Sequence, residues 1–561
     1  MSSSFKIENL KISLEKLFKI LQKNNLTNSK KISQTKKMFN IFINSKDINK
    51  YYSNNIKKDS FIYFSRHGEK FDGHQMVEDI LASKNYFVGN HERLIFIAEK
   101  KKYASDWVSK IISNKYFINV KDVENSIYAV FENYYLSKSK NLSIIAVTGT
   151  NGKTSVVQLT SQLIHEINNE DTIRIGTFGI QYKNQILDSS HVTTPDYPMM
   201  LQILNLAHKI NTNKIIMEAT SHGLNENRLG NVKVDVAIFT NLTQDHLDYH
   251  KNMHNYLNAK LLLFKNKLKN NGTAIICTNN DYWENFADSA IGKKRKLIGI
   301  GSKNTLKIFF EKFSTKFKEV KFLIVNNSLS SFSGISGLIE LYGKSGLIAQ
   351  SSFKSSLIGS FQFDNLLCAL ATQLNSGFSL AEITKKIINI KNVSGRLEVV
   401  TLSDKSLTNH PTVIVDYAHT PDALEKVLKT CRDILKNTSK GKLITVFGCG
   451  GDRDATKRPI MGKIASELSD LVIITSDNPR TEDPVKIIAD ICFGIQNLKN
   501  CFKYVDRKAA IKYAIQIATA NDFVIIAGKG HENYQIIGEN KISFSDSKIA
   551  LSILQEEANS G

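Results

Sequence analysis

The sequence predicts an α/β protein of three domains, with mainly parallel sheets in the central and C-terminal units. Three observations carry this. A chain of 561 residues calls for three or four domains at roughly 150 residues each. From residue 142 onward, short and largely apolar runs recur between helical stretches, the pattern of parallel strands covered on both faces. A glycine-rich loop ending in Lys-Thr lies between the first of those runs and a helix, where an α/β sheet presents ligands.

The N-terminal unit is read over residues 1–138 and includes a basic extension. Within 8–21, Leu10, Leu14, Leu17 and Leu21 fall on one face of a helix with lysines around the rest, so the helix is expected to pack on its own domain. Residues 26–58, rich in Asn, Lys and Ser, read as loop. Segments 61–64, 86–88 and 94–98 read as strands of a small α/β domain, and the polar residues 137–141 as a linker.

The central unit is read over 139–394, with buried strands at 143–147, 215–217 and 234–239 and a helix beginning near Val156. Between 303 and 353 the pattern turns to short alternating strands, expected as an antiparallel insertion. The C-terminal unit, 395–561, repeats the strand and helix alternation with strands at 412–416, 442–447, 471–475 and 523–527, a doubly wound, Rossmann-like arrangement.

Charge and cysteines bound the function. The chain has 74 Lys and Arg against 53 Asp and Glu. Residues 1–58 alone carry +10, from 13 lysines, no arginine and the acids Glu8, Glu15 and Asp47. No nucleic-acid motif accompanies this charge, so it reads as solvated lysine-rich surface, and no nucleic-acid partner is expected. Cys277, Cys368, Cys431, Cys449, Cys492 and Cys501 are scattered without metal-ligand spacing, as in a reduced cytosolic protein. No apolar run of membrane-spanning length and no signal-peptide core is found, so the expected location is the cytoplasm.

The strongest motif is Thr148-Gly-Thr-Asn-Gly-Lys-Thr-Ser155, in register between strand and helix. Gly149 and Gly152 let backbone N–H groups turn toward phosphates, Lys153 reaches the β and γ phosphates, and Thr154 can ligate magnesium. Glu218, at the end of the second strand, and His246, after the third, can converge on cations held by the same phosphates. His250 and His254 are expected on the surface, because a hard-oxygen magnesium site needs no histidine cluster. Gly448-Cys-Gly-Gly-Asp-Arg453 fails the dinucleotide spacing, which excludes NAD.

The phosphate loop lacks the leading glycine of the general form, since position 147 is Val147. In this shorter version, and in the motifs that follow, the chain resembles the Mur ligase family of ATP-dependent amide-bond-forming enzymes. Within it the likeness is to the type that adds the third residue of the peptidoglycan stem peptide, and it runs from about residue 60 to the C-terminus. The resemblance implies ATP bound by Gly149, Thr150, Asn151, Gly152, Lys153, Thr154 and Ser155 together with Asn365, Arg396 and Asp416. It implies one Mg2+ on Thr154 and Glu218 and a second on His246 and a carbamylated Lys260, with Lys153, His246 and Lys260 catalytic.

For the acyl acceptor, UDP-N-acetylmuramoyl-L-alanyl-D-glutamate, the resemblance points to Thr193, Thr194, Thr220, Glu226 and Arg228. The chain departs from the family there: Val192 stands where asparagine is frequent, Thr220 replaces serine and Glu226 replaces glutamine. A glutamate beside an anionic substrate should weaken binding unless a lysine neutralises it. Upstream, Ser53-Asn-Asn-Ile56 replaces the family's Asp-Ser-Arg motif.

Asp477, Asn478, Pro479 and Arg480, with Arg453, Gly528 and Glu532, resemble the set that selects meso-diaminopimelate over lysine. A guanidinium fork suits the distal carboxylate that lysine lacks. The implied activity is an ADP-forming amide ligase of peptidoglycan precursor synthesis, and so of cell-wall building, cell shape and division. It works on small molecules and is expected as a monomer. Two other readings stay open: a sister ligase with another acceptor or amino acid, such as L-lysine or the folylpolyglutamate type, and a non-catalytic scaffold. The arginines speak against the first, and the intact Lys153, Thr154, Glu218, His246 and Lys260 against the second.

Overall fold

The computed structural model describes residues 11–27, 38–42, 61–64, 94–98, 117–189, 192–331, 333–402, 410–438 and 441–560. The first sheet has five strands in the order β1 (Lys11–Ser13), β2 (Met38–Phe42), β3 (Phe61–Phe64), β4 (Leu94–Ala98) and β5 (Phe117–Asn119). All pairs are parallel except β1 with β2. Strand β2 corrects the reading of 26–58 as loop. Its short apolar run is placed by pairing with β1 on one side and β3 on the other, and Ile41 is buried. Local composition is overridden by a sheet that satisfies the backbone.

The amphipathic segment also differs from expectation at its start, because residues 11–13 extend into β1 before helix α1 (Leu14–Lys23) begins. Ser13 caps α1 by accepting from the Lys16 N–H, and Leu17, Ile20 and Leu21 are buried against the domain. Helix α2 (Val123–Tyr135) packs on α1 and leads to the central sheet. Leu10, residues 53–56, 69–73 and the strand read at 86–88 lie outside the described residues.

The central sheet has eleven strands: β6 (Ser143–Thr148), β7 (Ile173–Gly176), β8 (Gly179–Tyr182), β9 (Gln185–Asp188), β10 (Lys214–Glu218), β11 (Val234–Phe239), β12 (Leu268–Cys277), β13 (Gly292–Gly301), β14 (Phe317–Ser331), β15 (Gly334–Gly343) and β16 (Gly346–Ser355). Their order is β16-β15-β14-β13-β12-β11-β6-β10-β7-β8-β9. Strand β6 is thus flanked by β10 and β11, parallel to both, with Glu218 beside Val147 and Phe239 beside Thr148. That register puts the loops after three strands at one point on the carboxyl edge of the sheet.

Helix α3 (Lys153–Asn168) follows the phosphate loop directly, three residues earlier than read. Helix α4 (Met253–Leu262) lies beyond β11. The segment 303–353 is also corrected: helix α5 (Lys303–Phe313) comes first, and β14, β15 and β16 then continue the main sheet as long strands instead of forming a short-stranded insertion. The β14–β15 and β15–β16 pairs are antiparallel as expected. Helix α6 (Gln362–Asn375) packs against α3 and brings Asn365 to the phosphate loop.

The C-terminal sheet has six strands: β17 (Glu398–Val400), β18 (Thr412–Asp416), β19 (Leu443–Phe447), β20 (Leu471–Thr475), β21 (Cys501–Tyr504) and β22 (Phe523–Ala527), in the order β17-β18-β22-β19-β20-β21. All pairs but β17 with β18 are parallel. Helix α7 (Pro421–Thr438) follows β18 and helix α8 (Lys457–Leu468) follows β19. A hairpin of β23 (Tyr534–Ile537) and β24 (Asn540–Ser543) and helix α9 (Asp546–Ser560) complete the chain. Beneath the sheet, Arg507 and Asp546 form a fully buried pair 2.8 Å apart, and Arg507 also donates to Ala527 O.

Candidate functional site

Two adjoining clefts, each of about 780 Å³, lie between the carboxyl edges of the central and C-terminal sheets. The phosphate loop floors the first. Gly149 and Gly152 have φ of 152° and 86°. A Cβ on Gly149 would sit 1.9 Å from Thr240 Oγ1, and one on Gly152 would sit 2.6 Å from Asn365 Oδ1. A side chain at either position would be strained by its torsion and would have to displace a neighbour. Lys153 Nζ lies across the loop, donating to Gly149 O (2.9 Å) and Thr150 O (2.7 Å). Burial lowers its pKa, against the attraction of Glu218 and Asp245.

Glu218 is 1% exposed and its partners are neutral: the Thr154 hydroxyl at 2.9 Å, the Thr177 N–H at 2.9 Å and the Thr177 hydroxyl at 3.2 Å. A buried carboxylate surrounded by hydroxyl groups suits a hard cation. Among the described residues, no group of three His, Cys, Asp or Glu forms a metal cage. The donor set therefore fits magnesium that shares its coordination with phosphate oxygens and water, as this ion prefers.

His246 adopts a left-handed φ of 55°. Its ring lies 3.5 Å from Asp245, and Asp245 Oδ1 accepts from the His246 N–H. Burial outweighs the attraction of Asp245 and lowers the imidazole pKa below its ordinary value. Lys260 is 1% exposed, donates to Gly149 O at 2.8 Å and lies over the Tyr256 ring. Burial first, then the Lys153 charge, lowers its pKa well below the ordinary lysine value. His250 corrects the surface reading: it is 5% exposed, with Nε2 2.9 Å from Ser221 Oγ. It ends a short helix, Leu247–His250, with its ring turned inward, whereas His254, on α4, is exposed.

Residues from far along the chain close over this floor. Asn365, held by Gln362 Oε1, faces Gly152, and Ser155 lines the cleft. Arg396 stacks on Tyr417 and donates to Thr154 Oγ1 at 3.4 Å. Both Asp416 oxygens accept backbone N–H groups, from Leu397 and Ala418 at 2.7 Å each, so this carboxylate shapes the turn carrying Arg396. Burial raises its pKa. Asn151 reaches across to Asp422 at 2.8 Å.

Beside β10, Thr193 and Thr220 line the cleft. Thr194 lies beneath it, fully buried, its hydroxyl donating to Glu218 O and its carbonyl accepting from Arg228. Glu226 is paired with Arg228, at 2.7 Å, so an arginine, not a lysine, offsets its charge.

The second cleft shares Thr177, His246, Tyr417, His419 and Arg453 with the first. Arg480 has a φ of 53° and donates through Nη1 to Gly451 O at 2.7 Å. Burial and the neighbouring Arg453 both lower its pKa. Gly451 leaves room for Pro479, whose carbonyl would lie 1.9 Å from a Cβ there. Asn478 donates to Glu532 Oε2 at 3.0 Å, and a Cβ on Gly528 would meet Asp477 Oδ2 at 2.5 Å. The guanidinium groups of Arg453 and Arg480 thus face the same space as the carboxylates of Asp477 and Glu532, with Asp245, Asp248 and Asp454 also on its lining.

Residues 147–373 match the Mur ligase middle domain, and residues 395–530 match the Mur ligase, glutamate ligase domain. A Rickettsia montanensis protein named UDP-N-acetylmuramoyl-L-alanyl-D-glutamate--2,6-diaminopimelate ligase is 37% identical over 528 residues, covering 93% of this chain and 97% of its own. The chain belongs to the Mur ligase family. A Fusobacterium nucleatum ligase of the same name is 36% identical over 499 residues, covering 89% of this Mur ligase and 92% of its own chain. A solved structure of a ligase so named has a TM-score of 0.55 at 28% identity, covering 98% of this chain and 99% of its own. MurF from Acinetobacter baumannii, at 14% identity and a TM-score of 0.59 over 98% of this chain and 99% of its own, shares the fold.

Sequence reasoning missed several residues of this Mur ligase site: Thr177 on Glu218, Asp245 on His246, Asp422 on Asn151, and Lys457, which lies 3.9 Å from Asp245 and donates to His419 O. Asp245 immediately precedes His246, and Asp422 follows Asp416 by six residues, so each lies close in sequence to a residue read as functional. Their partnerships depend on three-dimensional proximity. The enzyme has no helix, among the described residues, long and apolar enough to cross a membrane.

Proposed function

We propose that this ligase joins meso-diaminopimelate to UDP-N-acetylmuramoyl-L-alanyl-D-glutamate with conversion of ATP to ADP and phosphate, in peptidoglycan precursor synthesis. One observation carries the reading: a cleft that sets the guanidiniums of Arg453 and Arg480 beside the carboxylates of Asp477 and Glu532 adjoins the phosphate-loop cleft, and the two share a wall. The names of the Rickettsia montanensis and Fusobacterium nucleatum relatives support it.

In this reading residues 1–138 bind the uridine end of the acceptor, 139–394 bind ATP and 395–561 bind the amino acid. Backbone N–H groups of residues 149–155 and Lys153 hold the phosphates, while Asn365, Arg396 and Asp416 fix the nucleotide against them. Thr154 and Glu218 hold one magnesium ion, and His246 and Lys260 a second. Bound magnesium neutralises the phosphate charge that develops during transfer. The neutral Lys260 amine is the form that adds carbon dioxide, its nitrogen bonding the carbon and releasing one proton, to give a carbamate anion. Thr193, Thr194, Thr220, Glu226 and Arg228 position the acceptor peptide.

The acceptor carboxylate attacks the γ-phosphorus, the bond to the ADP oxygen breaks, and an acyl phosphate forms. Arg453 and Arg480 hold the distal carboxylate of diaminopimelate, Glu532 and Gly528 its ammonium, and Asp477, Asn478 and Pro479 fix the pocket. The unprotonated near amine attacks the acyl carbon, the carbon-to-phosphate oxygen bond breaks, and the amide and inorganic phosphate result. A positioned wall, with Lys153 and the other cations, supplies orientation and charge neutralisation. The enzyme acts as a cytoplasmic monomer on small molecules.

The test is phosphate release from ATP with UDP-muramoyl-dipeptide and meso-diaminopimelate, lysine or no amine. Strong release with diaminopimelate alone is expected. Equal release with lysine, or release without amine, would reassign the substrate.

A further inference from the structure

The turn at 528–532 drives one lysine inward. Gly528 and Gly530 flank Lys529 with φ of 114° and 52°, and a Cβ on Gly530 would approach Tyr417 to 2.7 Å. This backbone points Lys529 beneath the second cleft, where it is 0% exposed. A buried ammonium requires partners. Lys529 Nζ donates to Glu532 Oε2 at 2.8 Å and Asn478 Oδ1 at 3.2 Å, lies 3.9 Å from Asp477 Oδ1 and faces the Tyr534 ring at 5.5 Å.

These bonds set two orientations. Asn478 Oδ1 accepts from both Lys529 Nζ and the Ile536 N–H, at 2.9 Å, so its amide nitrogen must turn to Glu532 Oε2, 3.0 Å away. Oε2 of Glu532 is then occupied by two donors, which leaves Oε1 to accept from a ligand. Lys529 also neutralises one of two neighbouring acids that would otherwise repel each other across the turn.

We infer that Lys529 is a positioning residue for amino-acid selection: from beneath the cleft it holds Glu532 and Asn478 in the orientation that receives the distal ammonium of the incoming amino acid. The inference rests on the diaminopimelate reading of this cleft and deepens it. Lys529 touches no substrate and acts through Glu532.

Lys529→Met should raise the KM for diaminopimelate about tenfold to a hundredfold, the range set by a lost charge-assisted hydrogen bond. The kcat and the KM for ATP should stay within about threefold, since the phosphate-loop cleft is untouched. The decisive arm uses 2-aminopimelate, which keeps the distal carboxylate and lacks the distal amine. The preference of the natural enzyme for diaminopimelate over this analogue should collapse in Lys529→Met, and Lys529→Arg should restore part of it.

An unchanged preference, or an equal rise in KM for ATP, overturns the inference. Should Lys529→Met lose its ADP-dependent thermal shift, Lys529→Gln, which keeps a side-chain donor for Glu532 without the charge, is judged by the same criterion. Natural enzyme that ignores diaminopimelate altogether overturns the substrate reading as well. Natural enzyme that uses it with Lys529→Met unaffected overturns this inference alone.

Discussion

Replacing Arg480 with alanine separates the carboxylate-binding role of this residue from its place in the fold. The left-handed φ of 53° is shared by any non-glycine side chain, so arginine and alanine bear the same backbone cost and the variant should fold. Arg480 uses Nη1 on Gly451 O at 2.7 Å and Asn478 O at 3.4 Å, which leaves Nε and Nη2 as a fork for a carboxylate. Charge-assisted hydrogen bonds contribute about 1.5–3 kcal/mol, so losing the fork should lower kcat/KM for diaminopimelate roughly 10- to 150-fold. Arg480→Lys, which keeps the charge without the fork, should fall nearer the mild end. The assay is coupled phosphate release at saturating ATP and acceptor, with lysine as the competing amine. Lysine offers no distal carboxylate, so its poor use should change little. If Arg480→Ala kept kcat/KM for diaminopimelate within about threefold, the assignment of the second cleft would fail.

Three further outcomes are expected. Lys260→Ala should lose most activity and Lys260→Glu should retain more of it, because a carboxylate partly replaces a carbamate; equal loss in both, measured as ADP release, would reject a carbamate at this position. Asp546→Ala strands the fully buried Arg507 and should cost about 3–5 kcal/mol, read as a lower denaturation midpoint with the nucleotide site intact once folded. Stability should also depend on pH through His419, which burial and then Lys457 lower to about 4 from an ordinary 6.5. It is neutral when folded and binds a proton sooner when unfolded, so its contribution is complete above about pH 6.5 and is lost as pH falls toward 4, up to about 3 kcal/mol. A His419→Gln variant should show a shallower fall in melting temperature over that window, and an identical slope would exclude the linkage.

The phosphate loop, Glu218, His246 and the C-terminal strands were legible in the sequence because each is local: a strand, a turn and a helix in register, with periodicity to mark them. Residues 38–42 were not, since a polar neighbourhood hides a strand whose stability comes from β1 and β3. Helix α5 was missed because its apolar positions resemble the alternating run that follows it. His250 has the same residue type and spacing as a surface histidine, and what distinguishes it is its hydrogen bond to Ser221 and the packing of its ring against His222, Tyr249 and Tyr256. Lys529 lies between Gly528 and Glu532, both read as site residues, yet its direction depends on two glycine torsions that no pattern of residue types reveals.

The wall common to both clefts has a consequence for ligand design. Ligands on its two sides need only a short bridge past His246 and Arg453 to become one molecule. Once the phosphate-mimicking end is seated, the amino-carboxylate end binds intramolecularly, at an effective concentration in the millimolar range for a short tether. Two weak fragments joined this way can exceed the affinity of either by about a hundredfold or more without any new contact, provided the tether matches the span. The same tether would hold the central and C-terminal units together, so its binding would report on their approach as well as on either pocket.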